Sequence, residues 1–532
     1  MSTAFWDTPY ASRRLPVMAA NMVSTSQPLA AQAGLRMLQQ GGNAVDAALA
    51  AAITLTIVEP VMNGIGGDLF VQVWHNGQLH GLNASGRSPA SWTHDHFAGL
   101  KEVPYGGWKT VTVPGQVAGW AELWQRFGSL PFATLFEPAL HYAQEGFAVS
   151  PTIARQWALY SPKLAHEPGF APAFLPSGRP PSAGDIWRFP DQARTLERIA
   201  QSQGRDFYEG ELAQRIAAFA ADTGGALTLN DLKAHTCDWV TPIHIPYRNE
   251  YALHELPPNG QGIAALMALG MLDTFDPPAE NDWAARLHLG IEACKLAFAD
   301  LHAHVADTPS MAPGLTGKLL DPDYLRQRAR LIKPNRAGLP QAGRPHSGGT
   351  VYLAAADRHG TMVSFIQSNF HGFGSGCVVP GTGIALHSRG KGFSLDPGHP
   401  NSAGPGKRPL HTIIPGFITR HGRPLAALGV MGGTMQAQGH VQIMQHLVDY
   451  GCNPQAAICA PRFRVETDGR VMVEAGLPAS ALANLRELGH TIELHGPDSL
   501  EFGSAQIIMQ LPHGQAYVAG SDPRRDGQAV GY

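Results

Sequence analysis

The sequence predicts an α+β fold, and two observations predict it. Residues 351–356 and 362–367 are β-runs joined by the turn Asp357-Arg358-His359-Gly360, the pattern of a hairpin with a four-residue connection, and short strands with glycine turns continue to about residue 430. Helical periodicity then returns over residues 436–450, and strands followed by helices within one segment suggest α+β layering.

The elements upstream follow in order. Ser26-Gln27-Pro28 reads as a helix start, with Ser26 as the capping hydroxyl and proline in the first turn. An alanine-rich helix runs to residue 38, and Gly41-Gly42 ends it, because glycine takes the left-handed conformation that a helix terminus favours. Asn43 is placed to cap a second helix over residues 44–57. A glycine turn, residues 63–68, leads into a strand over residues 69–74. The middle of the chain, about 120–345, reads as mostly helical, with a clear helical segment over 292–302. Residues 334–349, rich in proline, glycine and basic residues, read as an exposed, extended loop.

Composition narrows the class. The chain has 532 residues, 44% hydrophobic and 15% charged, enough to bury a large core and too apolar for disorder. A net charge of −3 gives no electrostatic footprint for nucleic acid or an anionic membrane. The N-terminus lacks the apolar stretch of a signal peptide, and the most apolar run, residues 44–58, is too short to span a bilayer; a cytoplasmic protein is expected. Five scattered cysteines form no C-x-x-C pair and read as buried thiols of a reducing compartment. The pairs His94/His96 and His302/His304 read as surface histidines, and no metal site is expected.

The chemistry gathers at Thr350. A Gly-Gly-Thr sequence stands where the loop meets the first β-run, and a second one, Gly432-Gly433-Thr434, lies downstream. A threonine hydroxyl needs a base to act as a nucleophile. Cleavage of the Gly349–Thr350 bond would supply one, because the new α-amine has an ordinary pKa near 8. Glycine at 349 admits backbone angles closed to other residues. The tripeptide alone is equally the mark of an ordinary loop-to-strand junction.

Motifs spread along the chain settle the choice. In order they are residues 41–48 (GGNAVDAA), 64–67 (GIGG), 86–89 (GRSP), 113–115 (VPG), 257–262 (PPNGQG), Glu292-Ala293 with Ala299-Asp300, 406–410 (GKRPL), Gly432-Gly433, Ala460-Pro461-Arg462 and 520–524 (GSDPR). In this order the chain resembles the γ-glutamyltransferase family of N-terminal-nucleophile hydrolases. The resemblance implies a four-layer αββα sandwich and a precursor that cuts itself into associated subunits, here residues 1–349 and 350–532 of one catalytic domain. It implies Thr350 as the nucleophile, Ser368 as its hydroxyl partner, and backbone N–H groups at Gly432-Gly433 as the oxyanion hole, a contribution of about 3 kcal/mol per donor. It also implies Arg87 as the arginine that holds a substrate carboxylate, for which a planar two-pronged donor is suited. No metal or organic cofactor is required. The expected partners are a small-molecule amide and the two subunits themselves, with a homo-oligomer of the processed heterodimer compatible.

Departures from the family pattern bear on substrate. Transferases acting on glutathione read the α-amino group with an acidic residue and an asparagine; those positions hold Gly392 and Phe370 here. His411 and Thr412 replace two serines after Lys407-Arg408-Pro409-Leu410, and Arg389 stands where a neutral amide is common. The stretch 393–405 is shorter than in members that carry a lid over the site. These traits favour hydrolysis of an acidic acyl amide, of oxamate or glutaryl type, with Arg389, His411 and Thr412 in the acyl pocket. The competing expectations are a true γ-glutamyltransferase or glutathione hydrolase, and an unprocessed, non-enzymatic binding relative.

Overall fold

Two antiparallel sheets of seven strands lie face to face, and helices cover both outer surfaces. The computed structural model describes residues 13–338, 349–496 and 499–532. Most of the expected 334–349 loop therefore lies outside the described residues.

The first sheet runs, edge to edge, Gln528–Gly531, Met22–Thr25, Gly349–Ala356, Met362–Phe370, Asp68–His75, Gln78–Asn83 and Asp238–Val240. The second runs Val17–Ala19, Tyr517–Ser521, Ser504–Gln510, Arg423–Met431, Gly416–Arg420, Tyr251–Glu255 and Ile243–Tyr247. The strand that begins at Gly349 is interior, paired with Met22–Thr25 on one side and Met362–Phe370 on the other.

Alternation along that strand builds the layers. Val351, Leu353 and Ala355 point outward into the helical layer, where the Ala44–Val58 helix is buried along its whole length. Tyr352, Ala354 and Ala356 point inward against Phe417, Ala427 and Ile508 of the second sheet. Gly429 makes room for one of these inward residues: a Cβ there would collide with the Tyr352 ring. Helices Gly262–Leu272, Trp283–His304 and Met435–Met444 cover the far side of the second sheet. The result is the αββα sandwich, with Thr350 in phase with the inward residues.

Local signals explain the element ends. Asn43 caps the second helix as expected: its side chain accepts from Val45 and Asp46 N–H while Asp46 accepts from the Asn43 N–H, a capping box worth about 1 kcal/mol. The first helix, Pro28–Gln39, is capped by Gln27 in place of Ser26. The longer amide reaches the N–H groups of Leu29 and Ala30, and the Ser26 hydroxyl is taken by Glu59 at 2.5 Å. The segment expected to be helical over 436–450 is α-helical over Met435–Met444 and closes with a π-turn, Gln445–Asp449. The mostly helical middle also contributes three strands within residues 238–255, which extend the edges of both sheets. Their alternation is short, and sheet neighbours distant in sequence decide their conformation. Of the cysteines, Cys294 and Cys377 are buried while Cys459 is exposed, so the expectation of buried thiols holds only in part. No helix among the described residues is long and apolar enough to cross a membrane.

Candidate active site

Thr350 sits at the start of its strand, 1% exposed, with its hydroxyl held on two sides. Its Oγ1 lies 3.3 Å from the Ser368 Oγ and accepts from the Gln436 Nε2 at 3.2 Å. Ser368 is reached because the two strands pair: Gly349 is opposite Phe370, and a register shift between Gly349 and Val351 bends the chain at Thr350. Ser368 in turn accepts from the Phe370 N–H at 2.7 Å. Gln436 comes from the second layer. Its carbonyl oxygen accepts from the Ile414 N–H at 3.0 Å, which aims the amide nitrogen at Thr350. Sequence reading gave no role to Gln436; its only signal is its place two residues after Gly432-Gly433-Thr434.

Gly432 and Gly433 form the turn between the strand Arg423–Met431 and the helix Met435–Met444. Their φ angles of 120° and 62° lie in the region that favours glycine, so side chains here would be strained. Gly432 and Thr350 line one small cavity, and the Gly433 carbonyl accepts from the Gln261 side chain at 2.8 Å. Thr350, Ser368, Gly432 and Gly433 are thus brought to one place from two sheets.

A second centre lies around Asp68, which is fully buried. Its Oδ1 accepts from the N–H groups of Gly86 and Gly115 at 3.1 and 3.2 Å. Its Oδ2 faces His411 Nε2 at 3.0 Å, His387 Nδ1 at 3.3 Å and Arg389 Nε at 3.7 Å. Burial alone would raise the Asp68 carboxyl, but His387 and His411 beside it more than offset this and hold it well below the usual carboxylate range. Burial, then Arg389, takes His411 down to about 3, so its ring is neutral and donates from Nε2. Asp68 and His387 were missed as site residues, since Asp68 reads as the last residue of a glycine turn.

Arg389 is 0% exposed. Its NH1 donates to the Thr412 Oγ1 at 2.9 Å, and its guanidinium lies 4.8 Å from the centre of the Phe370 ring. Its Nε and NH2 have no hydrogen-bond partner among the described residues. Burial pulls the group down and Asp68 partly opposes it; the outcome, about 9, leaves it charged at neutral pH. Phe370, Thr412, Thr434 and Gly392 line a cleft of about 330 Å³, and Arg389 lies behind the first two. Residues 393–396 of the shortened stretch form part of its wall. At Gly392 a Cβ would come within 2.5 Å of the Leu410 carbonyl, so an acidic side chain has no room there.

Arg87 is placed differently. It pairs with Asp307 at 3.2 Å and reaches the Gly406 carbonyl at 3.3 Å, with 40% of its side chain exposed. Among the described residues, its hydrogen bonds and ion pair go to these two groups and not to Thr350 or Arg389. Among the described residues, one group has the spacing of a metal site: His288, Glu292 and His490. Lys295 already places its ammonium 2.8 Å from Glu292 and 3.3 Å from His490, so a cation stands where a metal would go.

A family model described as gamma-glutamyltranspeptidase matches residues 30–532. The chain belongs to the γ-glutamyltranspeptidase family. It is 36% identical over 520 residues to a glutathione hydrolase-like YwrD proenzyme of Bacillus subtilis, covering 96% of this chain and 98% of that protein. It is 35% identical over 516 residues to an oxamate amidohydrolase proenzyme of Klebsiella pneumoniae, covering 95% and 97%. A crystal structure of a cephalosporin acylase from Bacillus halodurans superposes with a TM-score of 0.95 at 46% identity, covering 99% of this chain and 98% of that one. The protein is accordingly an enzyme of the amide-hydrolysing kind, on an α+β N-terminal-nucleophile fold.

Proposed function

We propose that the protein is a self-processing amidohydrolase that splits residues 1–349 from 350–532 and then uses Thr350 to hydrolyse an amide whose acyl half carries a carboxylate. The observation that carries this reading is the Thr350 hydroxyl, buried at the head of an interior strand between Ser368 and Gln436 and beside Gly432. Relatives named as proenzymes support the cleavage step.

The reaction follows from the groups present. The Thr350 Oγ attacks the amide carbonyl carbon, and its proton passes to the new α-amine and on to the leaving nitrogen as the C–N bond breaks. Ser368 and Gln436 orient the hydroxyl, and N–H groups at Gly432-Gly433 take the negative oxygen. Water then adds to the acyl ester, returns a proton to Thr350 and releases the acid.

The carboxylate belongs at Arg389. A buried guanidinium with two nitrogens unpartnered is costly and is relieved by a two-pronged anion. Phe370 is its cover. The residue holds a φ of 78°, strained for a side chain of this size, and its ring has to turn aside as substrate enters. His411, locked to Asp68, shapes this pocket from behind, and Thr412 shares the guanidinium. Arg87 as found is an outer guide at the 406–408 segment.

The alternative is γ-glutamyl transfer or glutathione hydrolysis, favoured by the names of several relatives. The crowded Gly392 leaves no acidic partner there for an ammonium group. The test has two parts. A denaturing gel with mass spectrometry is expected to give two chains, the smaller beginning at Thr350, and Thr350→Ala is expected to stay uncut and lose at least about 10³-fold in activity. Cleavage in that variant, or a single persistent 56.8 kDa chain, sinks the reading. Fast turnover of γ-glutamyl-p-nitroanilide accelerated by glycylglycine, with none of glutaryl or oxamate amides, selects the alternative.

A further inference from the structure

One side chain joins the acyl pocket to the Gly432-Gly433 turn. Gln261 stands between the strand Tyr251–Glu255 and the helix Gly262–Leu272, is 1% exposed, and lines the cleft of about 330 Å³ with Phe370, Thr412 and Thr434. A glutamine amide nitrogen carries two N–H donors in one plane. Gln261 gives one to the Thr412 carbonyl and the other to the Gly433 carbonyl, the second at 2.8 Å. Thr412 is the residue whose hydroxyl accepts from Arg389 NH1 at 2.9 Å. The Gly433 carbonyl also accepts from the N–H of Gln436, which in turn reaches Thr350 with its side chain.

We propose that Gln261 is a positioning residue that sets the span between the carboxylate anchor and the oxyanion hole, and thereby the length of the acyl chain hydrolysed fastest. The inference rests on Thr350 as nucleophile and Arg389 as anchor. An acyl group with a terminal carboxylate has two ends to place: the carboxylate at Arg389 and the reacting carbonyl at Thr350. Both are in register only if the receiving groups keep a fixed separation, and a misplacement of about 1 Å can cost about 100-fold in rate. Gly432 and Gly433 have no side chains to hold their own bonds, so the turn is steadied from outside. The two-pronged Gln261 amide does this while holding the residue that shares Arg389.

Gln261 can act as a spacer because its backbone is itself fixed. Its N–H donates to the His411 carbonyl at 2.9 Å, and the His411 N–H donates to the Asn259 carbonyl at 2.8 Å, so residues 259–261 are stitched to the segment that carries Thr412. Gly262 brings the start of the next helix against Glu255, since a Cβ there would lie 2.7 Å from the Glu255 Cβ. Glu255, fully buried, meets His440 Nδ1 at 2.6 Å. His440 stands four positions after Gln436 on the helix Met435–Met444, on the same face. The root of the Gln261 segment and the helix behind the oxyanion turn are thus pinned to each other.

The test reads kcat along a series of substrates. Processed wild type is compared with Gln261→Met, which keeps the length of the side chain and removes both donors, on the mono-4-nitroanilides of straight-chain dicarboxylic acids from oxalic to adipic. In the wild type kcat is expected to peak at one length and to fall about tenfold when one methylene is added or removed. Gln261→Met should lower the peak kcat about tenfold and bring its neighbours within about threefold of it, with KM at the peak moving by less than about threefold. A flat wild-type profile, a profile as sharp in Gln261→Met, or an effect confined to KM overturns the proposal. Gln261→Glu gives a second reading. Its protonated carboxyl can hold one carbonyl and its carboxylate neither, so its kcat relative to the wild type should fall as pH rises; a ratio flat with pH contradicts the spacer. Arg389→Leu tests the functional reading separately. Selective loss of the acid amides in that variant, with a sharp profile kept in Gln261→Met, supports the reading and removes the spacer. Turnover of γ-glutamyl-p-nitroanilide alone sets the acyl reading aside; a kcat loss on that substrate in Gln261→Met with KM nearly unchanged still supports the hold on the oxyanion turn, and an unchanged kcat overturns it.

Discussion

Arg87, from a family motif, and Arg389, a departure from the family pattern, were both expected to meet the substrate, and the fold treats them in opposite ways. Arg87 stands at a rim, 40% exposed, and is already paired with Asp307. Arg389 is sealed from solvent, shares Asp68 with two histidines at a distance, and keeps two nitrogens unpartnered. An exposed, paired guanidinium gains little from a further anion, since water already serves it. A buried, half-satisfied one gains the full desolvation cost of its idle donors. The difference teaches that an arginine's fitness as a carboxylate anchor is set by what its surroundings leave undone, which a motif does not encode.

The comparison can be broken in order of expected effect. Arg389→Leu should lower kcat/KM for a carboxylate-bearing amide by about 100-fold, ~3 kcal/mol, while a neutral acyl amide changes little; equal losses on both substrates would falsify the assignment. Asp68→Asn should raise KM more than it lowers kcat and cost about 2–3 kcal/mol of stability, because it removes the counter-charge behind Arg389. Denaturant melts together with the KM-to-kcat split check this, and a pure kcat effect contradicts it.

A third buried charge sharpens the point. Glu59, wholly buried beneath Ser26, has its carboxyl pushed up to about 8, first by desolvation, with Ser26 and Arg525 pulling the other way. Between its unfolded value near 4.5 and about 8 the folded state binds the extra proton, so its contribution to stability is fullest at low pH and is lost as pH rises through about 8. Glu59→Gln should therefore remove about 2 kcal/mol of stability loss between pH 6 and pH 8, and melts with the same pH slope in both proteins would refute it. Arg87→Ala is expected to be the smallest change, within about 1 kcal/mol and fading at high salt. A 100-fold loss in that variant would reverse the ranking and restore Arg87 as the anchor.

Much of the scaffold was legible. The Asn43 cap, the two helices it separates and the 351–367 hairpin follow from local rules, since capping, glycine termini and period-two alternation act over a few residues. The edge strands at 238–255 were not legible, because their partners lie far away in the chain. The Ser26 cap failed for the same reason: Glu59, thirty-three residues on, takes its hydroxyl. At the site, Thr350 with Ser368 and Gly432-Gly433 could be named from ordered motifs, whereas Gln436, Asp68 and His387 could not.

What the sequence determined by itself was the alternation that sends Thr350, Tyr352 and Ala354 inward, the glycines that only a left-handed turn requires, and the family to which their order belongs. What only the tertiary structure decided was which charges are satisfied. Pairing of Arg87 with Asp307, and the lack of partners at Arg389, depend on groups brought together across 220 and 321 positions of the chain. Local propensity is blind at that range, and the energy of a charge is fixed by burial and by its neighbours in space.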